Sequence, residues 1–449
     1  MKILFVSLGC DKNLVDSEVM LGMLAEKGYA FTDDETEAEV IVVNTCCFIN
    51  DAKEESINTI LEMAELKKSG QVKALIVTGC LAQRYKEEIQ KEIEEVDAIL
   101  GTSAIDSIVE AVEEALAGRG ESYMESLDAR PIGDRKRLVT TGGHYAYLKI
   151  AEGCDKHCTY CIIPKVRGGY RSIPMEQLEA EAQKLAGQGV RELILVAQET
   201  TLYGSDIYGE KKLPELLRRL ARIEGLQWIR LLYCYPEEIT DELIQTIREE
   251  EKICHYLDIP IQHASDRVLK RMGRRTDSSE IRATVQRLRA AIPDICLRTT
   301  LITGFPGETE EDHDKVMEFV DEMEFDRLGV FTYSPEEDTP AAAMPDQLEE
   351  TVKEKRRGQI MELQQEIAYE AAERMVGRQL YAMVEGRVAD EDAYVARTYK
   401  DAPNVDGYLF IHTARQLISG DFVKVQITGS LEYDLIGNLI GEKCDEFAQ

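Results

Sequence analysis

Two groups of cysteines give this chain of 449 residues its chemistry. One is compact: Cys154-Asp155-Lys156-His157-Cys158-Thr159-Tyr160-Cys161 places three thiols on a single short stretch, with three and then two residues between them. Thiolates select iron–sulfur clusters, zinc or copper(I) over hard cations, and a fully ligated cluster takes four of them. Three thiols followed by Ile162-Ile163-Pro164 leave one position open for a substrate or cofactor. The same residues also allow a structural zinc site, with His157 as the fourth ligand of a Cys₃His set. The motif alone does not separate the two readings.

The other group is dispersed. Ile3-Leu4-Phe5-Val6-Ser7-Leu8-Gly9-Cys10, Val40-Ile41-Val42-Val43-Asn44-Thr45-Cys46 and Ala74-Leu75-Ile76-Val77-Thr78-Gly79-Cys80 are short apolar, β-branched runs, each ending on a cysteine. Such runs read as buried parallel strands, and each is followed by a helical pattern; Ala98-Ile99-Leu100 is a weaker fourth. The loops after the strands of an open parallel sheet share its carboxyl edge, where sites form. Cys10, Cys46 and Cys80 are therefore expected on one edge, where they could hold a second cluster. The alternative is three buried small hydrophobes, the ordinary fate of free cysteine. Cys47 points elsewhere and reads as packing. Leu8-Gly9-Cys10-Asp11-Lys12-Asn13 lacks the glycine spacing of a dinucleotide loop, and Asp16-Ser17-Glu18 reads as acidic helix-opening chemistry.

The elements that must position these thiols follow from length and periodicity. The length suggests about three domains, and we place an N-terminal α/β domain at 1–118, a linker at 119–143, a central domain at 144–372 and a small β-domain at 373–449. Gly118-Arg119-Gly120 opens the linker, which lacks periodicity. In the central segment the runs Tyr147–Ala151, Leu193–Ala197, Ile229–Tyr233, Tyr256–Ile261, Leu297–Thr303 and Leu328–Tyr333 alternate with amphipathic helices, predicting six parallel strands in an incomplete TIM-like barrel. The compact cysteine loop follows the first of them. Other strand ends carry Gln198-Glu199-Thr200, Gln262-His263-Ala264-Ser265 and Thr303-Gly304-Phe305-Pro306-Gly307-Glu308. Gly304 would let a ligand approach, Phe305 would stack on a flat ring, and an inward Arg298 would grip a carboxylate. Cys234, Cys254, Cys296 and Cys444 have no ligand spacing and read as structural. A charged helix from Leu348 to about Met375 leads into alternating segments with turn signals, the pattern of a small antiparallel β-barrel. The fold class is α/β throughout, apart from that barrel.

Charge narrows the partners. With 53 basic and 84 acidic residues the net charge is −31, which repels phosphate backbones and anionic membranes and attracts basic partners. The same balance also serves plain solubility, and Lys165, Arg167 and Arg171 could form a local basic groove. From Val376 onward there are 7 basic and 12 acidic residues, a net of −5, so a basic protein suits the terminal barrel better than nucleic acid. Ile3-Leu4-Phe5-Val6 is too brief for the apolar region of a signal peptide, and no stretch approaches a membrane span. A cytoplasmic location is expected, where eleven cysteines favour metal or redox roles over disulfides.

Cys154-x-x-x-Cys158-x-Tyr160-Cys161 resembles the signature of radical S-adenosylmethionine (SAM) enzymes. With the upstream cysteines and a terminal barrel similar to the TRAM domain, the whole chain resembles the radical SAM methylthiotransferases. Leu8-Gly9-Cys10-Asp11-Lys12-Asn13-Leu14-Val15-Asp16-Ser17-Glu18, Asp401-Ala402-Pro403-Asn404-Val405-Asp406-Gly407 and Glu432-Tyr433-Asp434-Leu435 are similar to the RimO-type branch, which modifies protein S-twelve of the small ribosomal subunit. The resemblance implies two 4Fe-4S clusters. One, on Cys154, Cys158 and Cys161, would bind SAM and cleave it reductively to a 5′-deoxyadenosyl radical that takes hydrogen from the β-carbon of an aspartate. The other, on Cys10, Cys46 and Cys80, would present sulfur methylated by a second SAM. It further implies a SAM pocket lined by Tyr160, Gln198, Glu199, Arg298, Gly304 and Phe305, no catalytic residue beyond the cluster ligands and bound SAM, and an electron donor such as flavodoxin or ferredoxin. Three positions depart from the family pattern: Glu199 stands for a usual Asp, Ile173 for a common arginine and Cys47 for a small residue. The alternatives are a transfer RNA adenosine methylthiotransferase, which shares all six cysteines, and a non-catalytic zinc-stabilised binding protein.

Overall fold

The computed structural model describes residues 1–441, so Cys444 lies outside the described residues. At the N-terminus β1 (Lys2–Ser7), β2 (Ala30–Thr32), β3 (Val40–Thr45), β4 (Ala74–Gly79), β5 (Ala98–Leu100) and β6 (Ser122–Tyr123) form one sheet in the order β2-β1-β3-β4-β5-β6. Every pair is parallel. The apolar runs make buried strands because both faces are covered. Val40, Val42, Ala74 and Ile76 pack into one core, and Ile41, Val43, Leu75 and Val77 into the core on the other face. Each fully buried Val, Ile or Leu contributes roughly 1.5–3 kcal/mol. Strand β6 lies inside the stretch read as a linker, and Arg137 in the same stretch is buried between Glu18 and Glu181, 2.5 and 2.6 Å away.

The central sheet contains β7 (Tyr145–Lys149), β10 (Glu192–Val196), β11 (Trp228–Leu231), β12 (Ile253–Asp258), β13 (Cys296–Thr303) and β14 (Arg327–Thr332), all parallel, in the order β14-β13-β12-β11-β10-β7. These are the six predicted strands, displaced by at most three residues at either end. Between β7 and β10 a two-residue antiparallel ladder, β8 (Ala151–Glu152) with β9 (Arg171–Ser172), clamps the base of the cysteine loop. Leu148, Leu193, Leu195, Ile229, Leu231 and Leu257 face the helices outside. Tyr147, Ile194, Val196, Tyr256 and Cys296 face inward, where they meet Val15 from the N-terminal helix Asp11–Glu26 and Met383 and Phe422 from the C-terminal barrel.

The helix Glu350–Glu373 leads into that barrel, built from β15 (Gln379–Arg387), β16 (Ala393–Thr398), β17 (Leu409–His412), β18 (Phe422–Leu431) and β19 (Asp434–Leu439) and closed in the order β15-β16-β17-β19-β18. The sequence predicted an antiparallel barrel, yet β17 and β19 pair in parallel. The reason is topological: strand direction cannot alternate all the way round a closed ring of five.

The barrel seals the amino-terminal end of the central sheet. Glu192, the first residue of β10, accepts from Arg230 Nε and from Arg397 of β16, both at 2.7 Å, with all three side chains buried. Asp401 pairs with Arg327 at 2.5 Å, Lys400 with Asp326 at 2.7 Å, and Asp406 accepts from the Tyr256 hydroxyl at 2.7 Å. Buried charges persist when they are paired this closely, and removing one partner typically costs about 3–5 kcal/mol. Among the described residues no helix is long and apolar enough to cross a membrane.

Candidate metal centres

The order of the N-terminal sheet reverses at β1, so β1 and β3 flank a switch point of the kind that opens a crevice at a carboxyl edge. Cys10 and Cys46 stand just past those two strands, and Cys80 just past β4. Gly9 is in the left-handed region at φ +90°, and a Cβ there would meet Cys46 Cβ at 2.7 Å, so the two cysteine loops touch. Cys46 is held from behind by Ser56, whose hydroxyl accepts from its N–H at 3.0 Å and donates to its carbonyl at 2.9 Å. Burial pushes the Cys46 thiol up to about 12, and the like charges of Cys80 and Cys10 add to the shift. The Cys80 thiol is raised mainly by burial, against the pull of the Arg167 guanidinium. Cys10 is exposed, so this centre opens on that side. Cys47, fully buried in the apolar core beside Ile60 and Leu75, is packing.

The compact loop is also fixed by its backbone. Gly153, at φ +78°, passes so close that a Cβ would lie 2.0 Å from the Gly169 carbonyl, and the Cys154 N–H donates to Gly168 O at 3.1 Å. Thr159 N–H donates to Met272 O at 2.9 Å, and its hydroxyl to Arg271 O at 2.8 Å. Burial pushes Cys154 to about 11 and Cys161 to about 12, with Cys158 adding repulsion to each. Raised thiol pKa values mean that metal must displace protons on loading, and the thiolates are stable only with that positive charge in place. Arg274, which sequence reading missed, is buried with its NH1 4.0 Å from Cys158 Sγ and its guanidinium 4.4 Å over the Tyr235 ring. Lys156 stands on the same ring at 5.0 Å and pairs with Glu238, with Glu237 at 3.1 Å and with Glu199 at 3.8 Å.

His157, by contrast, is exposed. Among the described residues no three His, Cys, Asp or Glu side chains gather closely enough for a single metal ion, the two cysteine triads included.

The carboxyl mouth of the central sheet brings several expected residues beside this loop. Tyr160 meets Phe305 edge-on at 6.4 Å, and Phe305 meets Tyr333 at 5.2 Å. Phe305 is fully buried, so its ring supports Tyr160 and offers no open face. Gln198 donates to Glu152 Oε1 at 2.8 Å and keeps its own carbonyl oxygen unpartnered. Glu199 is fully buried; burial pushes its carboxyl up to about 7, Oε1 accepts from the Thr201 N–H at 3.0 Å, and Oε2 accepts no hydrogen bond, with the Lys156 ammonium 3.8 Å away. Gln262 Oε1 is a third buried acceptor without a donor. Three buried acceptors without a hydrogen bond in one mouth fit a ligand rich in N–H and O–H donors, as SAM is. Non-glycine residues with left-handed backbone cluster at the same mouth, namely His157, Tyr233 and Gln262; such conformations concentrate at ligand sites.

Two residues take other positions. Arg298 donates to Asp258 at 2.7 Å and lies 3.5 Å from Asp406 of the terminal barrel, so its charge is already engaged. The space at Gly304 is filled by the stem of Lys353, whose ammonium donates to Tyr333 O at 2.9 Å. The surface groove read from Lys165, Arg167 and Arg171 is not formed, because Arg167 is buried against Cys80, Asp16 and Glu152. Its signal in the sequence was an arginine six residues behind Cys161, set between Val166 and Gly168. Asp16 and Glu18, read as helix-opening acids, are likewise buried ion-pair partners of Lys149, Arg167 and Arg137.

Three family models match separate stretches of the chain. Residues 2–101 match the family described as Uncharacterized protein family UPF0004, residues 148–320 the Radical SAM superfamily and residues 376–440 the TRAM domain. The ribosomal protein uS12 methylthiotransferase RimO of Lachnoclostridium phytofermentans is 63% identical over 437 residues, covering 97% of this chain and 99% of the relative. The protein of the same name from Acetivibrio thermocellus is 52% identical over 449 residues, covering 98% and 99%. Among solved structures, the radical SAM methyltransferase TsrM of Kitasatospora setae superposes with a TM-score of 0.55 at 14% identity, over 84% of this chain and 78% of that one, which is a likeness of fold.

Proposed function

The chain belongs to the RimO family of radical SAM methylthiotransferases, and on that premise we propose that it adds a methylthio group to ribosomal protein uS12, at the β-carbon of an aspartate. Cys154, Cys158 and Cys161 hold the 4Fe-4S cluster that takes SAM, and Cys10, Cys46 and Cys80 hold the auxiliary one. When bound, the first supplies reductive radical chemistry on SAM and the second supplies the sulfur. What carries this reading is a direct bond from the segment after one triad to a cysteine of the other: Arg167, on the helix just after Cys161, donates to the thiol of Cys80 at 3.3 Å.

The chain's own side chains position and shield. Gln198, Glu199 and Gln262 offer acceptors that take no hydrogen bond within the chain to the donors of SAM. Tyr160, backed by Phe305 and Tyr333, walls the pocket against water, which strengthens every polar contact inside it. Gly304 and Arg298 act from behind, through Lys353 and Asp258. The division at 118, 143 and 372 belongs to the same proposal.

The acidic surface suits a basic ribosomal protein, with the terminal barrel as one contact, and an electron donor such as flavodoxin or ferredoxin in the cytoplasm completes the system. The test is to incubate anaerobically reconstituted enzyme, SAM and a reductant with uS12 and, separately, with transfer RNA. A methylthio mass gain on a uS12 aspartate is expected; a gain confined to RNA would overturn the assignment.

A further inference from the structure

Arg167 is a buried arginine with one partner that is a cysteine of the dispersed triad and others that border the two cysteine centres. Its side chain is 2% exposed. Nε donates to Cys80 Sγ at 3.3 Å, NH1 to Asp16 Oδ2 at 2.7 Å and to Glu152 Oε2 at 3.2 Å, and NH2 to Asn13 Oδ1. Asn13 passes the contact on, because its Nδ2 donates at 2.9 Å both to Leu8 O, two residues before Cys10, and to Thr45 O, immediately before Cys46. Glu152 precedes Gly153-Cys154, also takes Lys149 at 2.8 Å, and orients Gln198. One guanidinium therefore touches Cys80 directly, reaches the backbone just before Cys10 and Cys46 through a single asparagine, and holds Glu152 at the start of the compact cysteine loop while its own backbone lies at the loop's far end. A planar fork with five donors can do this; an ammonium cannot.

We propose that Arg167 is the positioning residue of the auxiliary centre, setting the charge on its Cys80 thiolate and its placement relative to the SAM-binding centre. This rests on the reading of Cys10, Cys46 and Cys80 as cluster ligands. A hydrogen bond and a positive charge at a ligand sulfur stabilise the reduced, more negative cluster, and such outer partners tune cluster potentials. The rival role is that of a plain domain pin through Asp16.

The experiment uses the full chain with Cys154, Cys158 and Cys161 all replaced by Ala, so that the auxiliary cluster alone is loaded, and follows its electron paramagnetic resonance signal through a redox titration. Adding Arg167→Gln is expected to lower the midpoint by a tenfold change in the reduction equilibrium, which is 59 mV for one electron. Arg167→Lys is expected to move it less, in the same direction, and carries the comparison if the Gln variant does not load. Asp16→Asn, which loosens the domain contact and spares the bond to Cys80, is expected to leave it in place. A midpoint and line shape unchanged by both Arg167 substitutions, or moved equally by Asp16→Asn, would overturn the proposal. No cluster in the parent with Arg167 intact would instead overturn the ligand reading beneath it.

Discussion

Cys154, Cys158 and Cys161 occupy one loop whose base is clamped by the β8–β9 ladder, whereas Cys10, Cys46 and Cys80 arrive from three separate strand ends of another sheet. The first triad is built by local backbone: Gly153 against Gly169, and Thr159 against Arg271 and Met272. The second exists only when the parallel sheet and the neighbouring domain are in place, since its third thiol is met by an arginine from the central segment. A local centre is robust to distant change and tolerates little within the loop. A dispersed centre takes its geometry from the whole fold, so distant residues such as Arg167 become part of it.

The largest expected effect separates the two centres by role. Outer partners of metal ligands are worth 10–100-fold, so losing a ligand is expected to cost more than about 100-fold. Cys154→Ala should abolish reductive SAM cleavage. Cys46→Ala should keep cleavage, measured as 5′-deoxyadenosine released, and lose the methylthio product. Equal loss of cleavage in both would erase the distinction between the triads. Next in size is the effect of the two glycines. Gly9→Ala forces a side chain onto Cys46, and Gly153→Ala onto the Gly169 carbonyl, each at a positive φ that costs about 1–3 kcal/mol for a non-glycine residue even before the clash. Gly9→Ala is expected to empty only the auxiliary centre and Gly153→Ala only the SAM-binding one, as read by iron content and by each cluster's spectrum.

A smaller change sharpens the contrast between the two arginines. Arg274→Gln removes the cation beside Cys158 and over Tyr235, and is expected to slow SAM cleavage by about 10–100-fold while the auxiliary signal stays unchanged. Smallest is the pH response of the metal-free protein. Its thiols are raised in the folded state from an ordinary 9.0, Cys46 and Cys161 to about 12 and Cys154 to about 11. Below pH 9 both folded and unfolded thiols are protonated and the stabilisation is complete. As pH rises from about 9 toward 12 the unfolded chain ionises first, and the stability is lost. Chemical denaturation of metal-free protein across that range should show the fall, and the loaded enzyme should lack it.

The compact triad, all six central strands and the shared edge of the second triad were legible in the sequence, because each is written in spacing or in runs of buried β-branched residues. Partners set by tertiary packing were not. Arg298 is well suited to a carboxylate in type and strand position, but its partners Asp258 and Asp406 come from a neighbouring strand and from the terminal barrel. Gly304 marks close approach correctly, and only the fold reveals that Lys353 is what approaches. Asp16 and Glu18 look like ordinary helix-opening acids until Arg167, Lys149 and Arg137 are placed beside them. The parallel pair in the barrel follows from closing five strands, a count that periodicity does not supply.

The most direct test is the iron and acid-labile sulfide bound per chain by anaerobically loaded wild-type enzyme, set against the Cys46→Ala protein. Two independent four-iron centres require about eight irons in the first and about four in the second, with matching sulfide. Zinc in place of iron, or the same iron content in both proteins, would contradict the assignment of two cysteine-held clusters.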